Sequence, residues 1–127
     1  MSSADKPTIY TASKTKHAQL WRDLRDSGFV NVISTWIDEA GVGETSDFSD
    51  LWRRCVFEAS TADALLLYRK EGEVLKGALV EAGCALAKGK RVYCVGDVLG
   101  YSFTNHPNAI CCESIHEAVD RIAQEAR

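Results

Sequence analysis

The chain has no surplus of basic residues: 15 Lys and Arg stand against 18 Asp and Glu, a formal charge of −3 over 127 residues. Proteins that neutralise a polyphosphate backbone or an anionic bilayer carry the opposite balance, so nucleic-acid polymers and membrane surfaces are not expected as partners. Proline is scarce, with 2 residues, and 9 glycines fall without a period, which excludes a collagenous or disordered chain. Apolar runs such as Ala64-Leu-Leu-Leu67 are far too short to span a bilayer. Residues 1–7 lack the apolar stretch and cleavage site of a secretory signal. The 5 cysteines include no Cys-x-x-Cys pair, and none of the 3 histidines has a ligand partner at helical spacing, so no metal site is expected. Reduced thiols and the missing signal make the cytoplasm the expected location.

What is present fits one compact domain over residues 1–127: 46% hydrophobic residues, no internal repeat and no linker. Thr8–Ala12 is short and β-prone. Ser13 is a candidate N-cap for a helix carrying Ala18, Leu20, Trp21 and Leu24 and ending at Gly28. Residues 30–36 read as a second strand, and residues 38–49, with Gly41 and Gly43, as a loop. A helix from Asp50 places Leu51, Trp52, Cys55, Val56 and Ala59 on one stripe facing the core. Residues 63–68 form a continuous apolar strand of the kind covered on both faces, hence central. A helix from Gly77 to about Lys88, a strand at 91–95, a loop at 96–108 and a short strand at 109–112 follow. Ser114 and Glu117 make a capping box for a last helix that buries Ile115, Ala118, Val119, Ile122 and Ala126.

Strands alternating with helices of this length imply right-handed crossovers. The expected fold is α/β: a five-stranded, doubly wound parallel sheet in three α/β/α layers, of the flavodoxin or Rossmann kind. Ligands of such sheets bind outside the carboxyl ends of the strands, at a switch in strand order. Residues 10–13, 36–48, 68–77 and 96–108 are therefore the places to search.

Within them, Glu81 leans toward the start of its helix, where the dipole favours a carboxylate, as a glycosyl-transfer nucleophile requires. A solvent-facing glutamate is the plain alternative. Gly77 permits a phosphate or hydroxyl to approach the helix start, or is simply a capping glycine. Asp63, a poor strand former at the start of the central strand, reads as a cap or turn residue. Tyr10 either packs in the core or turns its hydroxyl to the crevice, and Trp36 is either core or a platform for a flat ligand. Thr11 and Ser13, where the first strand ends, are candidate substrate contacts.

The run Thr61-Ala-Asp-Ala-Leu-Leu-Leu-Tyr68 followed by Gly77-x-x-x-Glu81-x-Gly83-x-Ala85-x-Ala87-x-Gly89-Lys90-x-Val92 resembles the nucleoside 2-deoxyribosyltransferase family, and Ile9-Tyr10-Thr11-Ala12 is similar to that family's first strand. The resemblance implies cleavage of an N-glycosidic bond in a nucleoside or nucleoside 5′-monophosphate, without a cofactor. Glu81 would attack the anomeric carbon, Tyr10 would orient it, and Asp63 would lie by the base and assist its protonation. It also implies a homo-oligomer, a dimer or larger, in which a neighbouring chain completes the site. Transferases of the family place an aspartate six positions before the nucleophile to hold the sugar 5′-hydroxyl; here that position is Leu75. Lys76, with Arg69 and Lys70, would then face a 5′-phosphate, or Glu71 or Glu73 would replace the missing carboxylate. The segment Trp36-Ile-Asp-Glu-Ala carries no amide side chain to recognise the base. A non-catalytic nucleotide-binding module on the same fold is the alternative, and a plain assembly domain built on Trp21, Trp36 and Trp52 is a third reading.

Overall fold

The computed structural model describes residues 6–40 and 47–125. Strands β1 (Thr8–Ala12), β2 (Asn31–Val32), β3 (Ala64–Arg69), β4 (Arg91–Gly96) and β5 (Ala109–Cys112) interleave with helices α1 (Ala18–Ser27), α2 (Phe48–Thr61), α3 (Gly77–Ala87) and α4 (Ile115–Glu125). All strands are parallel, in the order β2-β1-β3-β4-β5. The expected fold class is therefore the one observed. β3 is central, and Ala64, Leu65, Leu66 and Leu67 are all buried because both of its faces are covered.

Side-chain alternation assigns the helices to faces. Tyr10, Leu65 and Val92 stand in register across β1, β3 and β4, and Tyr10 reaches Glu81 on α3. Their successors point the other way. Tyr93 donates to Glu125 of α4 at 3.0 Å, and Tyr68 meets Trp21 of α1 edge-on. Helices α2 and α3, in mutual contact, thus cover one face, and α1 and α4 the other. The carboxyl edge of the sheet is drawn tight at Gly96. A Cβ there would stand 2.1 Å from the Arg69 carbonyl oxygen, and its φ of +92° is one that only glycine adopts freely.

Several local expectations change. Ser13 does not cap α1: a 3-10 turn at Thr15–His17 intervenes, and the Ser13 hydroxyl instead accepts from Trp21 Nε1 at 2.8 Å. Leu20 is exposed rather than buried, while Gly28 ends the helix as expected. The second strand shrinks from residues 30–36 to Asn31–Val32. Its continuation is diverted because the buried Ser34 hydroxyl accepts from Thr11 N at 2.7 Å, after which Thr35–Asp38 coils into a 3-10 turn. Helix α2 begins at Phe48, two residues early, because Asp47 caps it by accepting from Asp50 N at 3.0 Å. On α2 only Cys55 and Ala59 of the stripe are fully buried; Trp52 and Val56 are partly open. The capping contact of Ser114 with Glu117 N is present at 3.0 Å. Gly41, Gly43 and Ala126 lie outside the described residues.

Candidate active site

The connection from β1 runs to β2 on one side, while β3, on its other side, feeds α3. This is the switch in strand order at which a parallel sheet opens a crevice. A cleft of about 280 Å³ lies there. Ser13, Lys14 and Thr15 form one rim, Leu75, Lys76, Gly77 and Ala78 the opposite rim, and Trp36, Leu51, Trp52 and Cys55 the walls around Glu81.

Glu81 sits in the second turn of α3 and is buried. Tyr10, fully buried on β1, donates its hydroxyl to Glu81 Oε2 at 2.6 Å. Burial pushes the Glu81 carboxyl up to about 7, against hydrogen bonds from Tyr10 and the Cys55 thiol that favour the anion. Burial also raises the Cys55 thiol to about 11 and holds the Tyr10 hydroxyl far above its ordinary value, so both remain donors. The result is a carboxylate poised near neutrality, with donors of its own and a cleft in front of it.

The expected site residues divide sharply. Tyr10, Glu81, Trp36, Lys76 and Gly77 come together. Trp36 gives the cleft apolar ring surface and no donor, because Nε1 donates to the Thr11 carbonyl at 2.8 Å. Gly77 matters for packing: a Cβ there would meet the Trp52 ring at 3.2 Å, so glycine lets that indole lie across the start of α3. A Cβ at Gly83 would meet nothing, and packing within this chain does not explain that glycine. Ser13 lines the cleft with its hydroxyl engaged by Trp21 and the Lys14 carbonyl.

Asp63 and Thr11 depart from expectation. Asp63 precedes β3 and so stands at the amino edge of the sheet, where Oδ2 accepts from Thr8 N at 2.8 Å and Thr8 Oγ1 at 3.2 Å. It fastens the starts of β1 and β3 and is not a cleft residue. Thr11 is buried on the face away from α3, its hydroxyl bonded to Ser34 at 2.8 Å. Arg69 is also withdrawn from any phosphate role. It pairs with Asp97 at 2.7 Å, donates to the Glu73 carbonyl, and lies over the Tyr101 ring. Glu73 is occupied by His17, Lys16 and Lys70 N.

Lys14, Thr15, Trp52 and Cys55 were not legible as cleft residues. Only the α2 stripe, broader than the core requires, carried a signal. Among the described residues no group of three His, Cys, Asp or Glu side chains could hold a metal, and no helix is long and apolar enough to cross a membrane. No protein-family model matches the chain, and no curated protein matches it either.

Proposed function

We propose that the cleft binds a nucleoside 5′-monophosphate and that Glu81 cleaves its N-glycosidic bond, in the manner of the nucleoside 2-deoxyribosyltransferase-like enzymes that the Gly77 to Gly83 motif resembles. The buried Tyr10–Glu81 pair, 2.6 Å apart and facing an aromatic cleft, carries this reading. Glu81 attacks the anomeric carbon as the bond to the base breaks. The bonding electrons leave with the base, which takes a proton from water, and a glycosyl ester remains on Glu81. Water then hydrolyses the ester, freeing the sugar phosphate and restoring the carboxylate; a second base in place of water gives exchange. Trp36 and Trp52 line the cleft with aromatic surface for the base.

A phosphate is favoured over a free 5′-hydroxyl by three observations. Leu75 replaces the family's carboxylate, Glu73 is already engaged, and neither Lys14 nor Lys76 has an acidic partner among the described residues. We place the protein in the cytoplasm, where its 5 free cysteines stay reduced. Beside the cleft, Phe48, Trp52, Val56 and Phe57 of α2 expose apolar surface, and a second copy covering that side belongs to the same reading.

Incubation with a panel of deoxynucleosides and nucleoside 5′-monophosphates should release free base, with Glu81→Ala folded and inactive. A panel that yields no base overturns the assignment, and added second base separates transfer from hydrolysis. The non-catalytic binding module remains the second reading, favoured by one fact: with Asp63 at the far edge, Glu81 is the only carboxylate among the described cleft residues, and none is left to protonate the base. Thermal stabilisation by a nucleotide without turnover would select it.

A further inference from the structure

The two rims that carry Lys14 and Lys76 belong to different loops, one leaving β1 and one leaving β3. Like charges facing each other across a cleft repel, and something must hold the rims at a fixed spacing. Glu73 is the group that joins them. It is buried, with Oε2 accepting from His17 Nε2 at 2.7 Å and from Lys16 Nζ at 3.2 Å, while Oε1 accepts from Lys70 N at 2.9 Å. No other hydrogen bond or ion pair among the described residues connects residues 13–17 with residues 70–78.

Both ends of this link are built. On the β3 side, Gly72 at φ +87° closes a turn in which Glu73 N donates to the Lys70 carbonyl at 3.1 Å, and Arg69 Nε holds the Glu73 carbonyl at 2.7 Å. On the β1 side, the His17 ring is set edge-on against Tyr68 at 5.0 Å. Lys14 stands three residues before His17, and Lys76 three residues after Glu73. The His17–Glu73 bond therefore joins the two rims three residues from each lysine, counted along its own loop.

We propose that Glu73 is a positioning residue that clasps the two cationic rims through His17 and so sets their spacing for an anionic substrate group. Its effect on substrate rests on the glycosidic reading above; the link between the rims does not. In an enzyme that releases base, Glu73→Gln should raise KM for a nucleoside 5′-monophosphate about 10-fold while kcat at saturation stays within about 2-fold. His17→Ala should do the same from the other loop, and the double variant should be no worse than either single one, since both cut the same link. Additive losses, or an equal fall in kcat, would overturn the assignment.

Amide hydrogen exchange decides the clasp whether or not base is released. Glu73→Gln and His17→Ala should each speed exchange in both residues 13–17 and residues 70–76, and leave α4 unchanged. Faster exchange on one rim alone, or across the whole chain, would mean that Glu73 supports only its own turn or the fold at large. If the panel yields no base but both rims loosen, the clasp stands and the glycosidic reading falls.

Discussion

Two buried glutamates eight residues apart on the same connection have opposite surroundings. Glu73 is ringed by donors from His17, Lys16 and Lys70 N, and these outweigh the cost of burial and hold its carboxyl down at about 2. Glu81 has Tyr10 and a thiol but no cation, and burial lifts it to about 7. The first is a permanent anion with its capacity used inside the protein. The second is kept from full stabilisation and turned toward a cleft, which is how reactive carboxylates differ from structural ones. Burial alone does not tell the two apart; the partners do.

The strongest way to break this contrast is Glu81→Gln. Base release should fall by at least about 10³-fold, as for loss of a covalent nucleophile. The same variant should be more stable than the parent at alkaline pH. A carboxyl raised from 4.5 to about 7 contributes stability that is complete below 4.5 and lost as pH rises through 7, so Gln should recover up to about 3 kcal/mol at pH 8 in urea unfolding. A variant that is both inactive and less stable at pH 8 would contradict the account of Glu81 as a carboxylate held at a cost.

Tyr10→Phe should have the next largest effect, a loss of about 10- to 100-fold at pH 7. In the proposed mechanism attack requires the ionised carboxylate, so the parent rate should climb with pH and level off above about 7. Removing the Tyr10 donor raises Glu81 further and should move that climb to higher pH, which a kcat/KM profile will show.

Glu73 should respond in the opposite sense. Its depressed value means that its contribution is present above 4.5 and disappears as pH falls toward 2. The stability difference between parent and Glu73→Gln should therefore vanish in acid melts. The smallest catalytic effect belongs to Asp63→Ala. It should leave kcat/KM unchanged and cost about 1–2 kcal/mol of stability, because Thr8 N loses its acceptor. A large catalytic loss there would return Asp63 to the site.

Much of the fold was written in residue periodicity. β1 and β5 have their expected limits, and the apolar run of β3 announced its central place. The length of β2 was not legible, because it depends on where the Ser34 hydroxyl and Trp36 Nε1 find partners on β1, more than twenty residues earlier in the chain. Two site errors follow from rules that the sequence already obeyed. Successive strand residues face opposite ways, so Tyr10 and Thr11 cannot both address one cleft. A residue at the start of a parallel strand stands at the edge away from the crevice, which removes Asp63. Lys14 carried no linear sign and Cys55 only its place on the α2 stripe, since only folding brings the β1 loop and α2 beside α3.

The seat of Trp52 at the start of α3, which a Cβ on Gly77 would crowd, also gives the molecule an optical reporter. Trp21 is wholly buried and Trp36 nearly so at 7% exposure, whereas Trp52 is 38% exposed and borders the cleft. Iodide in solution should therefore quench chiefly the fluorescence of Trp52. Whatever fills the cleft will cover that indole, and occupancy can be read from the emission without a label and without turnover.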